Sequence, residues 1–237
     1  MKRIEDWKQK RFNRNKKGRI IGSPMEAIIG NAYEPVIRQH TAGSLLDVGC
    51  GDVPYYAWYK DNVSDITCID WPDSNLSIEH LDHIVDLNEP LTEFRNETYD
   101  TVLCTDVLEH VKKPGQLFSE MTRVLKPGGK LIVTVPYLYW IHADPWDYYR
   151  YSHFKLRDYC EENALKIELL EAYGGLPEVL FDLVYKGYDY YNLPAKNMFL
   201  ACWKSLGRFL ARRGFVQRLS MRSRPTFPMG YILVASK

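Results

Sequence analysis

The run Leu45-Leu46-Asp47-Val48-Gly49-Cys50-Gly51 is an apolar segment that ends in two glycines one residue apart. Glycine lets a backbone turn sharply and approach a bound molecule closely, and α/β sheets hold ligands beyond the carboxyl ends of parallel strands. A nucleotide-type ligand is therefore expected at Gly49, Cys50 and Gly51. Asp70 follows about twenty residues later at the end of a second apolar run, where a carboxylate can accept both hydroxyls of a ribose. Asp86 closes a third run, placed to accept a hydrogen bond from an adenine amino group. Asp47, two residues before the first glycine, could address a positively charged amino group. A dinucleotide fingerprint would put a third glycine at position 54, where this chain has Pro54. A pyrophosphate would lack its close helix start there, which argues against a dehydrogenase.

Positioning these groups takes alternating strands and helices. Residues 25–40 have apolar positions at helical spacing and run into Gly43, so a helix is expected there, covering one edge of the strands after it. Short apolar runs at 44–48, 65–70, 83–86, 99–105 and 130–135 read as parallel strands. Residues 114–125 place Leu117, Met121, Val124 and Leu125 on one face of a helix, which Lys126-Pro127-Gly128-Gly129 then breaks. A helix at 155–163, a strand at 166–171 and a last strand at 231–235 follow, with a mostly helical stretch between Gly174 and Arg224. The alternation implies a doubly wound, Rossmann-like α/β sheet.

These motifs resemble the class I S-adenosylmethionine-dependent methyltransferases, in particular the small UbiE-like and type 11 group. The resemblance covers residues 42–138. It rests on the glycine turn, on Asp70 and Asp86, on Tyr99-Asp100-Thr101-Val102-Leu103-Cys104-Thr105-Asp106-Val107-Leu108-Glu109-His110-Val111, and on Leu125-Lys126-Pro127-Gly128-Gly129. It implies S-adenosyl-L-methionine as cofactor and a seven-stranded sheet, mostly parallel, with an antiparallel last strand. The implied cofactor-binding set is Asp47, Gly49, Cys50, Gly51, Asp70, Trp71, Asp86, Leu87, Thr105 and Asp106. Asp70 would bind the ribose, Asp86 the adenine, and the glycine turn, Thr105 and Asp106 the methionine part. One departure is Val53, where many members have a third alternating glycine; an altered loop shape is expected. Asp106, Glu109 and His110 are similar to a cluster that some ubiquinone-type O-methyltransferases use around a divalent ion, but Glu-His pairs are also common in metal-independent members. No metal is assigned.

Residues 137–149 hold six Tyr or Trp, interleaved with His142, Asp144 and Asp147 and followed by Arg150, at the edge where a methyl acceptor must sit. Transfer from a sulfonium needs in-line placement of the nucleophile, which is mostly proximity and orientation. A hydroxyl acceptor also needs a base, and a histidine can take that proton near neutral pH. His142 is the candidate base, with Asp144 or Asp147 to orient it and Arg150 to bind an acidic group. In the other reading of this loop, His142 and Arg150 pin it to the body while its aromatics form a minor core. The loop resembles those of methyltransferases encoded with bacterial polysaccharide or natural-product pathways, so a small-molecule or glycan-type acceptor and O-methylation are expected.

The formal charge of +1 over 237 residues is unevenly spread. Residues 1–20 carry nine basic and two acidic side chains, and residues 196–224 carry eight basic and none acidic. The remainder has fourteen basic against twenty-eight acidic residues, a body of charge −14. Residues 196–213 mix Phe199, Leu200, Trp203, Leu206, Phe209 and Leu210 with Lys204, Arg208, Arg212 and Arg213 at helical spacing. This suits a lid packed on the body or a helix resting on an anionic lipid surface. The expected layout is a basic segment over 1–24 and a methyltransferase domain over 25–237, with 174–226 as a helical insertion or lid. No run of eighteen apolar residues suggests a membrane span, and no apolar segment comes after the basic start, so a cytosolic protein with peripheral membrane contact is expected. Oligomeric state is left open. Cys50, Cys68, Cys104, Cys160 and Cys202 form no Cys-x-x-Cys pair and are read as buried free thiols. Two alternatives remain: an RNA methyltransferase using the basic ends, although no aromatic RNA-binding fingerprint is present, and a non-catalytic cofactor-binding or lipid-surface protein of the same fold.

Overall fold

The computed structural model describes residues 4–6, 24–71, 79–191 and 195–237. Apart from residues 4–6, the basic N-terminal segment lies outside the described residues. Helix α1 (Pro24–His40) leads into β1 (Gly43–Val48), the short α2 (Tyr56–Tyr59), β2 (Val63–Asp70), β3 (His83–Ile84) and β4 (Tyr99–Thr105). A 3-10 turn (Leu108–His110) precedes α3 (Pro114–Val124), β5 (Leu125–Pro136), α4 (His153–Glu162) and β6 (Lys166–Tyr173). Three helices, α5 (Leu176–Tyr190), α6 (Lys196–Ala211) and α7 (Gly214–Ser223), stand before the last strand, β7 (Gly230–Ser236).

The seven strands form one sheet in the order β3-β2-β1-β4-β5-β7-β6. The first five in sequence pair in parallel, while β7 runs antiparallel to both β5 and β6. The expected antiparallel last strand is present, slotted between β5 and β6. Strand alternation sends successive side chains to opposite faces, and both faces are covered. Leu46, Val48, Val102, Cys104, Leu131 and Val133 join Leu117, Phe118 and Met121 of α3 in one core. Their neighbours Leu45, Leu103, Ile132, Ile232 and Val234 join Tyr33 and Ile37 of α1 and Tyr59 of α2 in the other. The spacing of the buried α3 residues Leu117, Phe118, Met121 and Val124 makes one helical stripe, and Pro114 pre-sets the first turn.

Two expectations change. The third strand is only His83–Ile84, because Asp86 Oδ1 accepts from both the backbone N–H and the side-chain amide of Asn88 (2.8 Å each) and turns the chain off the sheet. Of the five cysteines, Cys202 is exposed, because it lies on the outer side of α6.

Candidate active site

The sheet order reverses between β1 and β4, so the crevice at their carboxyl ends is the ligand position of this architecture. At the end of β1, Gly49 has φ +64°, and a Cβ there would lie 2.5 Å from Val107 Cγ2. The N–H groups of Gly49 and Cys50 both donate to the Ile69 carbonyl (2.9 and 3.1 Å), fastening the turn to β2. Gly51 (φ +52°) donates its N–H to Asp70 Oδ2, and Trp71 donates its own to Asp70 Oδ1, both at 2.7 Å. Two backbone donors thus fix the orientation of the Asp70 carboxylate. Burial pushes its pKa up, and these same N–H groups oppose the rise. The buried His80 brings Nε2 to 2.6 Å from the Gly51 carbonyl, which can only accept, so this nitrogen carries the proton. Val53 has φ +49° and is fully buried, so it keeps the left-handed backbone that a glycine would adopt at this third position.

Asp86 is exposed past the end of β3, and Leu87 beside it is buried. Asp47 lies on the α2 side of β1, 4% exposed, where the Tyr59 hydroxyl donates to its Oδ2 at 2.8 Å. Beyond β4, Thr105 is half-buried and Asp106 has φ +53°. The Tyr33 hydroxyl donates to Asp106 Oδ1 (2.9 Å), Thr134 Oγ1 donates to the same oxygen (3.2 Å), and the hydroxyls of Tyr33 and Tyr173 lie 3.0 Å apart. Burial pushes Asp106 up to about 6, with the Tyr33 and Thr134 hydrogen bonds pulling the other way. Tyr33, Thr134, Tyr173 and His80 were not picked out by the sequence. Tyr33 and Asp106 are 73 positions apart, Tyr33 and Tyr173 140, and no local pattern marks such a pairing.

The aromatic loop after β5 folds onto the 3-10 turn. Asp147 accepts from Arg150 Nη1 (2.5 Å) and Nη2 (2.7 Å) and from the His142 backbone N–H (2.9 Å). The Arg150 hydrogen bonds, above all other influences, hold the Asp147 carboxyl at about 2. Arg150 also donates to the carbonyls of Trp140 (2.9 Å) and Tyr139 (3.3 Å), so it clamps both arms of the loop. His142 Nδ1 lies 3.4 Å from Asp147 Oδ2, and its Nε2 lies 3.8 Å from Glu109 Oε1. Asp144 is exposed; Asp147 is the acid brought to the imidazole. Burial lowers the His142 pKa, assisted by the neighbouring His110, whose ring sits edge-on at 4.6 Å.

Glu109 occupies the centre of this cluster with no exposed surface, and neither carboxylate oxygen has a hydrogen-bond partner. Burial and then the charge of Asp106 push its pKa well above the usual carboxylate range. One carboxylate oxygen and two imidazole nitrogens, from Glu109, His110 and His142, lie within 4.8 Å of one another, a donor set that transition metals accept. Asp106, grouped with Glu109 and His110 by resemblance, is held instead by the Tyr33 and Thr134 hydroxyls. A separate cavity of about 570 Å³ lies between α1, β6 and helices α5–α7 and touches Tyr173, the outer member of the Asp106 network.

The acceptors around this crevice fit S-adenosylmethionine. That molecule presents ribose hydroxyls, an adenine amino group and an ammonium, all of which donate hydrogen bonds, and the crevice is bordered by carboxylates that accept them: Asp70 at the end of β2, Asp86 two residues past β3 and Asp106 just past β4.

A family model described as Methyltransferase domain matches residues 46–133. A ubiquinone biosynthesis O-methyltransferase of Photobacterium profundum is 28% identical over 106 residues, 39% of this chain and 45% of that protein. The thiol S-methyltransferase TMT1B of Rattus norvegicus is 32% identical over 112 residues, 42% of this chain and 43% of the relative. The chain thus spans less than half the length of these curated relatives. Among solved structures, a SAM-dependent methyltransferase from Archaeoglobus fulgidus superposes with a TM-score of 0.58 at 15% identity, covering 95% of this chain and 99% of the other. The [4+2]-cyclase SpnF superposes with a TM-score of 0.55 at 21% identity, covering 93% and 84%. These likenesses establish the fold, and a cyclase among them underlines that fold alone does not fix the reaction. With the glycine turn, the acids near the strand ends and the domain match in agreement, residues 46–133 match the type 11 methyltransferase domain, and the chain around them takes the fold of S-adenosylmethionine-dependent methyltransferases.

Proposed function

We propose that this protein transfers a methyl group from S-adenosylmethionine to a hydroxyl of a small-molecule or glycan-type acceptor, with His142 as general base. When bound, the cofactor supplies an electrophilic methyl group on a sulfonium. Asp70 accepts the ribose hydroxyls, prealigned by the N–H groups of Gly51 and Trp71. Asp86 and Leu87 border the adenine. Asp106, ionised above about pH 6, attracts the ammonium of the methionine part. His142 is kept neutral by its lowered pKa and so can take the acceptor proton. Asp147 and Arg150 position that imidazole by fixing the loop.

The observation that carries this reading is the half-buried His142, gripped through its backbone by Asp147 and turned toward the buried Glu109. The test is turnover, read as S-adenosylhomocysteine by mass spectrometry over a panel of phenols, sugars and thiols. His142→Gln should lose about 10²–10⁴-fold in turnover of hydroxyl acceptors while cofactor affinity stays near wild type. Hydroxyl methylation at the wild-type rate in that variant would remove His142 from the role. The thiol S-methyltransferase among the relatives gives a second reading, a thiol acceptor. A thiol ionises far more readily than an alcohol, so thiol methylation should survive His142→Gln with a much smaller loss.

A further inference from the structure

We propose that the outer side of the α5–α7 helices docks on the surface of an anionic lipid bilayer. The inner face of α5 is settled by Val179, Asp182 and Tyr185, which are buried. Its outer face should then be polar, yet it carries Leu180, Leu183 and Val184, 53%, 55% and 43% exposed. Spaced three and four residues apart, these form one stripe, and Tyr190 and Tyr191 extend the apolar exposure to the end of the helix. Met198, Leu206 and Phe209 of α6 and Phe215, Leu219 and Met221 of α7 are exposed as well. The helices do not lack partners for their inner faces. Phe181 stacks on Trp203 at 5.0 Å and Tyr188 on Phe199 at 3.7 Å, so the outward apolar groups are a second surface and not an unfilled core.

Charge selects the occupant. Residues 196–224 contain eight basic and no acidic side chains, and Arg212, Arg213, Arg218 and Arg222 are exposed. The Arg213 guanidinium lies 4.1 Å over the Phe209 ring, an arrangement in which a long side chain covers apolar surface and presents its charge beyond it. Interleaved apolar and basic groups match the boundary between acyl chains and anionic headgroups. A second copy of the chain is disfavoured, because a two-fold contact would set the exposed Arg212, Arg213, Arg218 and Arg222 against the same four. The surface adjoins the candidate acceptor loop: Lys186 of α5 lies 4.7 Å over Trp140, and Ile141 beside it is 73% exposed. The proposal does not depend on methyl transfer.

Co-sedimentation of the full chain with vesicles tests it, comparing phosphatidylcholine alone with phosphatidylcholine containing phosphatidylglycerol. Binding should require the anionic lipid and weaken as salt shortens the screening length. The pair Arg212→Glu and Arg213→Glu should lower partition at least about 25-fold, at roughly fivefold per basic residue lost. Leu180→Ser with Leu183→Ser should weaken binding with thermal unfolding unchanged, since both sites are exposed. Equal pelleting with both vesicle types, or full binding by either variant, would overturn the proposal. So would a wild-type dimer in analytical ultracentrifugation that Leu180→Ser with Leu183→Ser disperses, which would give the face to a second copy. Cofactor titration of the same samples is independent of these outcomes.

Discussion

Asp147→Asn separates the loop clamp from the rest of the fold with a change of one charge and almost no volume. In the native protein the Asp147 side chain is 3% exposed and accepts three hydrogen bonds, two from one guanidinium. Its carboxyl falls from the ordinary 3.8 to about 2. That drop corresponds to roughly 2.5 kcal/mol of stability at neutral pH, and burial from solvent leaves little screening to discount. For a domain of this size the variant should melt roughly 5–10 °C lower at pH 7. Because the folded pKa is depressed, the wild-type advantage is complete above the unfolded value near 3.9 and fades as pH falls toward 2, so the gap in melting temperature should shrink on acidification. Catalysis should suffer as well. The His142 backbone loses its anchor, and a drop of about tenfold or more in kcat is expected as part of the 10²–10⁴ that a positioned base supplies. Asp147 raises the His142 pKa, so its removal should move the acid limb of kcat/KM to lower pH. Differential scanning calorimetry and a pH–rate profile read both effects. Wild-type melting together with an unmoved acid limb would refute the clamp.

Tyr33→Phe removes a donor that lowers the Asp106 pKa, so the pH below which cofactor affinity falls should rise from about 6; titration calorimetry across pH 5–8 checks this, and an unchanged or lowered midpoint would contradict it. Glu109→Gln replaces an acid whose pKa burial raises. Its folded pKa is raised, so wild-type stability declines as pH rises from about 4.3 toward the folded value, and the variant should gain on the wild type over that window. Loss of turnover in chelator, restored by a divalent ion, would reassign Glu109, His110 and His142 to a cation. Gly49→Ala should destabilise the protein and abolish cofactor binding, because its Cβ meets Val107 at 2.5 Å and its φ is +64°.

The parallel strands, the long first helix and the glycine turn were legible because period-two and period-3.6 apolar patterns, glycines and strand-end acids are local signals. Asp70 lies where its spacing from the glycines put it, bonded to Gly51. The shortened third strand was not legible, because an Asp86–Asn88 turn outcompetes one more pair of ladder bonds at a sheet edge. The Asp106–Tyr33–Tyr173 contact joins three elements and leaves no trace in any one of them. In the aromatic loop, composition left Asp144 and Asp147 equivalent, and only the Arg150 fork distinguishes them. The α5 stripe was hidden for a further reason: Val179 on the inner side and Leu180, Leu183 and Val184 on the outer are equally apolar, and burial alone tells one side from the other.

Titration of S-adenosylmethionine into the purified protein decides whether the crevice at the ends of β1, β2 and β4 holds this cofactor. Saturable one-to-one binding is expected, weakened by about 10-fold or more in Asp70→Ala as charge-assisted hydrogen bonds to the ribose are lost. An absence of binding heat in the wild type, or equal affinity in the variant, would contradict it.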